Sequence, residues 1–339
     1  MIYLDTTSAS SWRHASGLAR VSRRLGEELG ASAVPSRWPQ IAREPGASDW
    51  VLTPELFSEP ERPGFTAFLD RRPCRLAAIY HDAIPMKFPR ITWPASVERH
   101  AGYMKLLARF DRVWAVSRAS RDELLGLWKW QGVSAPPPVD VLSLGADWPG
   151  VPRATSPAPA PKGAPRIVSV GILEPRKNQS LLIDACEALW EEGSDLELHL
   201  VGRVNPHFGG ATLGRVKAAA RRWPGMRHHA GLSDAELAKL LLSARATAFA
   251  SLAEGYGLPL LESLWLGVPC VCSDIAPLAE NAAGGGCLVV PGNAPAGWID
   301  ALRRILGDGA LHARLSAEAR GRALPTWSEA AGVLRSALA

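Results

Sequence analysis

Short apolar segments alternate with helical stretches along almost the whole chain, and this alternation constrains the fold more than any other feature. Six apolar segments precede a proline-rich stretch and six follow it: residues 2–6, 31–35, 50–53, 76–80, 112–116 and 139–144, then 166–170, 196–201, 226–230, 247–250, 269–272 and 287–290. Strands that alternate with helices form a parallel sheet covered on both faces. The predicted fold class is α/β, with two doubly wound, Rossmann-like domains that face one another across a cleft.

The proline-rich stretch divides the chain. Between Trp148 and Pro165, six prolines and two glycines fall within eighteen residues. Because proline lacks a backbone N–H and fixes φ, this stretch cannot form a helix or a central strand. It predicts a linker over residues 149–165, between an N-terminal domain of residues 1–148 and a C-terminal domain of residues 166–320. Residues 321–339 are predicted to form a helix that packs back on the N-terminal domain.

The charge balance excludes one class of partner. The 339 residues include 38 Lys and Arg against 33 Asp and Glu. This mild excess is not the clustered basic surface with interleaved aromatic residues that is typical of nucleic-acid binding, so no nucleic acid is expected. No apolar run reaches the roughly 18 residues of a transmembrane helix, and no signal peptide is visible. The protein is therefore expected to be soluble and cytoplasmic.

No metal or cofactor is expected. The five cysteines are Cys74, Cys186, Cys270, Cys272 and Cys287. The Cys-x-Cys pair at 270 and 272 lies on an apolar strand and fits neither a zinc knuckle nor a redox Cys-x-x-Cys. Buried free thiols in a reducing compartment are the predicted state of these residues. The chain also lacks a Gly-x-Gly-x-x-Gly motif, a Walker A motif and an Asp-x-Asp pair.

Glu254 and Glu262 lie on either side of a Gly-x-Gly turn. An apolar strand precedes the turn, and Pro259 lies at the start of the helix that follows, where its missing N–H costs nothing. Free N–H groups and the helix dipole make such a turn an anion cradle. Carboxylates repel a phosphate, so these two fit hydroxyl groups of a ribose or a sugar beside it. An ordinary strand-to-helix turn, with Glu254 solvated, explains the same spacing.

A second turn of this kind follows the segment at 166–170. Gly171 begins the turn, and Arg176 and Lys177 lie just before the next predicted helix. At this position positive charge and backbone N–H groups suit a diphosphate. A solvated basic turn is the alternative.

A third strand end carries backbone rather than side-chain candidates. Ser233 and Glu236 predict a capping box at the start of a helix, which explains both residues structurally. Gly231 and Leu232 precede it and would present backbone groups at the end of the strand.

The N-terminal half offers four candidate residues at strand ends. His81 and Asp82 follow the segment at 76–80, and a His-Asp pair in this place has either a structural or a catalytic role. Ser117 follows the next strand and also suits a helix N-cap. Gly17 lies between the first strand and its helix, where a backbone can approach an anion.

Together these motifs resemble the retaining, GT-B fold glycosyltransferases of family 4. The Glu-x7-Glu segment carries most of the resemblance, and it encloses Gly255, Tyr256, Gly257 and Leu258. Segments 171–178, 230–234 and 267–274 follow the family's order and spacing over most of the C-terminal half. The N-terminal half matches mainly through Gly17, His81, Asp82 and Ser117. Segment 80–85 is similar to bacterial mannosyltransferases of surface-polysaccharide assembly.

The resemblance implies a retaining, metal-independent hexosyltransferase that needs no cofactor. Its donor would be a nucleotide-diphosphate sugar, with GDP-mannose favoured, and its acceptor a glycan or a lipid-linked hydroxyl. The C-terminal domain would bind the donor, and the N-terminal domain would lie on the acceptor side. Lys177 and Arg176 would neutralise the diphosphate, Glu254 would bind sugar hydroxyls and Glu262 the ribose hydroxyls.

The remaining site residues follow from the same resemblance. His81 would face the sugar and act with Lys177, Arg176 and Glu254 as the catalytic set. The donor-binding residues would be Gly17, Asp82, Ser117, Gly171, Gly231, Leu232, Gly255, Tyr256, Gly257, Leu258 and Glu262. Among them, the backbone of 255–258 would contact the diphosphate, and that of Gly231 and Leu232 the base.

Two other functions fit the same motifs. A sugar-nucleotide epimerase or a phosphorylase would use the same fold, and an inactive sugar-nucleotide-binding subunit would bind the donor without turnover. Basic residues on the first helix (Arg13, His14, Arg20, Arg23 and Arg24) suit the inner face of the cytoplasmic membrane, where the protein could bind peripherally. A solvated helix face explains these residues equally.

Overall fold

The computed structural model describes residues 1–9, 16–157 and 163–339, which form two compact units. The first unit comprises Met1–Gly145 and Pro325–Ala339, and the second comprises Ala146–Leu324. Each unit contains one sheet of six strands, and every strand pairing in these sheets is parallel. The predicted α/β class with two doubly wound sheets is confirmed.

The strands of the first unit are β1 (Ile2–Asp5), β2 (Ala33–Ser36), β3 (Trp50–Thr53), β4 (Arg75–Tyr80), β5 (Arg112–Ala115) and β6 (Val139–Val141). Their order across the sheet is β2-β1-β3-β4-β5-β6. The strands of the second unit are β7 (Arg166–Val170), β8 (Glu197–Val201), β9 (Met226–His229), β10 (Ala246–Phe249), β11 (Cys270–Ser273) and β12 (Cys287–Val290). Their order is β12-β11-β10-β7-β8-β9, so β7 and β10 are neighbours at the centre.

Helices connect the strands. They are α1 (Gly17–Leu29), α2 (Trp38–Ile41), α3 (Phe65–Arg71), α4 (Ile84–Lys87), α5 (Pro94–Leu107), α6 (Arg118–Trp130), α7 (Gln179–Glu191), α8 (Gly210–Arg222), α9 (Asp234–Leu242), α10 (Leu258–Trp265), α11 (Ala276–Ala282), α12 (Pro295–Gly307), α13 (Gly309–Gly321) and α14 (Trp327–Ala337). Short 3-10 helices lie at Gly30–Ser32, Pro89–Ile91 and Pro175–Lys177. Among these helices, none combines the length and the apolar character that crossing a bilayer requires.

Burial of whole strands explains why they are continuous apolar segments in the sequence. Every residue of β1, β3, β10 and β11 is buried, as expected for strands covered by helices on both faces.

Polar residues that follow the carboxyl ends of strands cap the helices that come next. The Ser117 side chain accepts a hydrogen bond from the Ser120 N–H at the start of α6, and Ser233 with Glu236 forms the predicted capping box of α9.

The predicted linker differs from the structure at its first residues. The division of the chain falls after Gly145 rather than after residue 148, because Trp148 is buried in the second unit. Arg153 donates hydrogen bonds to the carbonyl oxygens of Ala319 at 3.0 Å and Arg322 at 2.5 Å. The Trp265 indole donates to the Val151 carbonyl at 3.3 Å. These contacts tie the beginning of the proline-rich stretch to the second unit.

The end of the second domain also differs from the prediction. Helix α13 runs to Gly321, past the predicted limit of residue 320, and the second unit extends to Leu324. Helix α14 belongs to the first unit and begins with a capping box between Thr326 and Glu329. Gly145 lies against this helix, and a Cβ added to the glycine would be 2.2 Å from the backbone nitrogen of Trp327.

The carboxyl ends of β7 and β8 approach closely at two glycines. Gly202 has φ +152°, and a Cβ added to it would lie 2.1 Å from the Gly171 carbonyl oxygen. The Gly202 N–H donates to the His229 carbonyl at 2.8 Å, and the Gly171 N–H donates to the Val201 carbonyl at 2.8 Å. Gly202 therefore allows the ends of β7, β8 and β9 to lie side by side.

We expect Gly202→Ala to lower the stability of the second unit by at least about 2 kcal/mol, because its methyl group displaces backbone. Gly214→Ala is the matched control, since Gly214 lies inside α8 with open space around it. There alanine is expected to stabilise by about 0.5–1 kcal/mol. Thermal unfolding of both variants checks the pair, and equal melting temperatures would contradict the close-approach argument.

Candidate functional site

The segments that follow β7 and β10 meet at the carboxyl edge of the second sheet. The Leu252 N–H donates to the Arg176 carbonyl at 2.8 Å, which joins the two segments through their backbones. The Lys177 Nζ then lies 2.5 Å from the Glu254 Oε1. Both side chains are mostly buried, with 13% of Lys177 and 12% of Glu254 exposed. The structure thus brings together the two cradles that the sequence predicted separately.

The Arg176 guanidinium joins the two segments through several contacts. Its Nη2 lies 2.7 Å from the Glu174 Oε1 and its Nη1 lies 3.2 Å from the Glu254 Oε2. The same Nη1 donates to the Ala253 carbonyl at 2.9 Å. One guanidinium therefore holds two carboxylates and a backbone carbonyl, which places Arg176 as a bridge between the segments.

Further polar residues support the bridge. The Ser251 hydroxyl donates to the Glu254 Oε1 at 2.7 Å, and the Ser273 hydroxyl donates to the Ser251 carbonyl at 2.7 Å. The Asn205 amide donates to the Glu174 Oε2 at 2.7 Å. Ser251 and Asn205 belong to no motif that is recognisable in the sequence. Their only signal is a position within a few residues of a strand end.

The electrostatics of the cluster follow from its burial. Burial by itself raises the pKa of a carboxyl group, but Lys177 and Arg176 outweigh it and lower the pKa of Glu254 to about 2, from an ordinary 4.5. Burial also lowers the pKa of Lys177, an effect that the Glu254 carboxylate opposes. Glu254 is therefore ionised at neutral pH and accepts hydrogen bonds.

The cradle between Glu254 and Glu262 has the predicted helix start. Gly257 has φ +98° and is the N-cap of α10, with Leu258 and Pro259 in the first turn. The Tyr256 carbonyl accepts a hydrogen bond from the Asn281 amide at 2.6 Å, which fixes the turn against α11. Glu262 is buried on α10, one turn after the start of the helix.

Two further predicted positions lie at the same edge of this sheet. Gly231 and Leu232 follow β9, whose last residue His229 accepts the hydrogen bond from Gly202. Gly231 is exposed and Leu232 is half-buried. Their predicted contact with a base stays a prediction.

The remaining predicted residues belong to the first unit. His81 is buried, and its Nε2 lies 2.8 Å from the Pro54 carbonyl. Since a carbonyl only accepts, Nε2 carries the hydrogen and Nδ1 is the acceptor. Burial lowers the pKa of His81, so the ring is neutral at pH 7. The Asp82 carboxylate accepts from the Ile84 N–H at 2.9 Å, a local turn contact.

Gly17 has open space around it in the first unit, and its predicted contact with phosphate stays a prediction. It is the first residue of α1, next to the N-cap Ser16. A Cβ added to Gly17 would meet nothing within 4 Å. The structure of the first unit alone therefore does not require a glycine at this position.

A buried charged cluster at the carboxyl edge of the first sheet was missed by sequence reasoning. Arg62 and Glu55 are fully buried and Asp5 is 2% exposed. The Arg62 Nη2 lies 2.8 Å from the Asp5 Oδ2 and 3.2 Å from the Glu55 Oε2. Glu55 also accepts hydrogen bonds from the N–H groups of Ser8 at 2.7 Å and Ala9 at 2.6 Å. Glu55 thus anchors the loop that leaves β1.

Burial raises the pKa of Glu55, with Asp5 adding to the shift. Arg62 opposes this effect, because it supplies the positive charge that two buried carboxylates need. The signal in the sequence was an acid two residues after the end of β3. This acid alone did not predict a charged cluster, because its partner Arg62 lies in a loop with no recognisable motif.

A buried cation–carboxylate cradle beside a helix start, at the carboxyl edge of a doubly wound sheet, is typical of a protein that binds anionic ligands with hydroxyl groups. The sequence assigns the class more closely. Residues 153–322, half of the chain, match the profile of the family described as Glycosyl transferases group 1. The chain belongs to this family.

The chain matches only part of the length of its curated relatives. The chain is similar to the serotype-specific mannosyltransferase WbdA of Escherichia coli, with 30% identity over 221 residues, which are 60% of this chain and 26% of WbdA. It is also 30% identical to a D-inositol 3-phosphate glycosyltransferase of Frankia alni over 264 residues, 72% of this chain and 62% of that protein. The match thus spans about a quarter of the length of WbdA.

Solved structures agree on the fold. Anabaena HepE, solved in complex with UDP and glucose, aligns with a TM-score of 0.76 at 14% identity. The alignment covers 99% of this chain and 98% of HepE. The chain has the GT-B fold that the resemblance implied.

The low pKa of Glu254 predicts how stability depends on pH. The group contributes stability above its ordinary pKa of 4.5, and this contribution is lost as the pH falls toward about 2. We therefore expect the stability advantage of the wild type over Glu254→Gln to be largest above pH 5, on the order of 3 kcal/mol, and to shrink toward about pH 3.

Chemical denaturation between about pH 7 and about pH 3 measures this difference. Glu98→Gln, at an exposed position of α5, is the control for the loss of one carboxylate. A wild-type advantage over Glu254→Gln that does not change across this range would contradict the ion pair.

Proposed function

We propose that this protein is a retaining glycosyltransferase. It would transfer a sugar from a nucleotide-diphosphate donor to a hydroxyl group of a glycan or lipid-linked acceptor in polysaccharide biosynthesis. GDP-mannose is the favoured donor, so mannose is the sugar that we expect to be transferred. The observation that carries the proposal is the buried contact between Lys177 and Glu254 at the carboxyl edge of the second sheet, within the region that matches the family.

The donor's diphosphate fits the cationic part of this cluster. Lys177 is mostly buried, so its charge acts through a poorly screened medium on a leaving group that becomes more negative in the transition state. The start of α10 adds the positive end of a helix dipole. Arg176 is held by Glu174, Glu254 and Ala253, so we assign it mainly to positioning of the two segments.

Glu254 fits the sugar hydroxyls better than it fits a nucleophile. Its Oε1 accepts from both Lys177 and Ser251, and its Oε2 contacts Arg176, so both oxygens are already stabilised as an anion. A pKa of about 2 makes Glu254 a poor base and excludes it as an acid at neutral pH. An ionised carboxylate accepts hydrogen bonds from hydroxyl groups, which is the role we assign to it.

Retention then follows a front-face course. The bond between the anomeric carbon and the phosphate oxygen breaks, and the acceptor oxygen attacks from the same face. The departing phosphate oxygen takes the proton of the acceptor hydroxyl. This course needs no covalent enzyme intermediate and no metal. Its requirements are a diphosphate held by Lys177 and a sugar held by Glu254, with Glu262 on the ribose.

The sugar and the acceptor are inferred from relatives. WbdA is named a mannosyltransferase, and the resemblance of segment 80–85 points to the same subgroup. His81, neutral with Nε2 bound to Pro54, is proposed to face the sugar. Gly17, Asp82, Ser117, Gly171, Gly231 and Leu232 remain proposed donor contacts.

Peripheral binding to the inner face of the cytoplasmic membrane is a further part of the proposal. On α1, Arg23 is exposed and pairs with Glu27 at 3.0 Å, whereas Arg24 is buried and pairs with Glu28 at 3.5 Å, so Arg24 is not available to a membrane surface. Arg13 and His14 lie outside the described residues.

The alternatives differ in what they do to a donor. An epimerase would convert the sugar nucleotide with no acceptor present, and a phosphorylase would need phosphate. An inactive subunit would bind the donor with neither transfer nor slow hydrolysis. The presence of Lys177, Glu254 and Glu262 together at one sheet edge favours a transferase over an inactive subunit.

We expect Lys177→Ala to reduce kcat/KM for sugar transfer by about 100-fold or more, because it removes the charge nearest the leaving group. Lys217→Ala, on the exposed surface of α8, is the matched control and should retain full activity. Donor consumption with and without acceptor measures both. Wild-type turnover by a folded Lys177→Ala protein would disprove the assignment.

The identity of the base can be read from melting temperatures. We expect GDP at about 100 times its Kd to raise the melting temperature of the second unit by roughly 5–10 °C, because it binds only the native state. UDP and ADP at the same concentration should give smaller shifts. A larger shift with UDP would reject GDP-mannose as the donor while leaving the transferase proposal in place.

A further inference from the structure

Three cysteines meet at one edge of the second sheet. Cys270 and Cys272 lie on β11 and point to the same face, because side chains alternate along a strand. Cys287 opens the edge strand β12, and its Cα is the direct partner of Cys270 in the parallel register. The three sulfur atoms lie within 4.8 Å of one another.

This geometry is close to that of a metal site. Zinc binds thiolate sulfur at about 2.3 Å, so three sulfurs around one ion lie about 4 Å apart. The observed spacing therefore needs a movement of less than about 1 Å per sulfur. Among the described residues, no histidine or carboxylate completes this group. Three sulfur ligands with no oxygen ligand select a soft cation.

Two of the three thiols lie in an apolar environment, and the third lies nearer the surface. Cys270 and Cys272 are fully buried, and they pack among apolar side chains of α10 and α11 that include Leu260, Leu264 and Leu278. Cys287 is half-buried on the edge strand, which gives an ion a short route to the cluster and leaves a fourth coordination position for water.

The charge near the cluster suits a divalent ion. Three thiolates and a divalent cation carry one negative charge, and Arg322 supplies one positive charge beside them. Its Nη1 donates to the carbonyls of Gly285 at 2.9 Å and Asn281 at 2.8 Å, and its buried Nε has no hydrogen-bond partner among the described residues. The Glu318 carboxylate lies beside the same segment, where it accepts from the Gly286 N–H at 2.9 Å and is paired with Arg314 at 2.7 Å.

We propose that Cys270, Cys272 and Cys287 form a binding site for a thiophilic divalent cation, with Zn²⁺ as the preferred ion. Binding converts three thiols to thiolates and releases three protons to solvent, and the ion completes three metal–sulfur bonds. The ion would join β11 to the edge strand β12. It has no part in the proposed transfer reaction, which uses the residues after β7 and β10.

The test is a titration of the reduced, metal-free protein with Zn²⁺ and, for its thiolate charge-transfer absorption, with Cd²⁺. We expect a single ion to bind per chain and a higher melting temperature with Zn²⁺. At a pH below the pKa of the thiols, we expect each bound ion to release about three protons. Cys287→Ala should weaken binding by about 100-fold or more, since it removes one of three ligands.

Cys186→Ala is the matched control, because Cys186 is a fully buried thiol of the same unit outside the cluster. It should bind the ion as the wild type does. Proton release and charge-transfer intensity are measured on the wild type, so the proposal remains testable if Cys287→Ala does not fold. No binding, fewer than three thiolates per ion, equal binding by Cys287→Ala, or a Cys270–Cys287 disulfide in place of a bound metal would overturn it.

Discussion

The contact between Lys177 and Glu254 is the interaction on which the candidate site depends. The two residues are 77 positions apart in the chain, and only the pairing of β7 with β10 brings their strand ends together. Removal of two charges from water is costly, and the pair persists because Arg176 and Ser251 complete the hydrogen bonds of the Glu254 carboxylate. The same contacts lower the pKa of Glu254 and keep it ionised.

The first unit repeats this arrangement with different residues. Asp5 ends β1, Glu55 follows β3 by two residues, and Arg62 balances both carboxylates in a fully buried position. In each unit the carboxyl edge of the sheet therefore holds a connected set of buried charges. In the second unit this set supports a proposed ligand site, whereas in the first it anchors the loop after β1 through Ser8 and Ala9.

Local patterns were predicted well from the sequence. The strands and the capping box at Ser233 depend on residues that are neighbours in the chain, and so does the glycine turn before α10. The limits of the units depend on long-range contacts. Arg153 binds carbonyls near residue 320, and this contact could not be inferred from the prolines around it. Glu55 was missed for the same reason, since its partners Ser8, Ala9 and Arg62 come from two other segments.

The sequence by itself determined the order of strands and helices and the residue types at each strand end, because hydrophobic period and turn chemistry are local properties. The tertiary structure decided which strand ends are neighbours. Parallel pairing of β7 with β10 joined the two cradles into one cluster, and the register of β11 with β12 placed Cys287 beside Cys270. Spacing along the chain could not show that third thiol, since strand order and register are set by packing of the whole sheet.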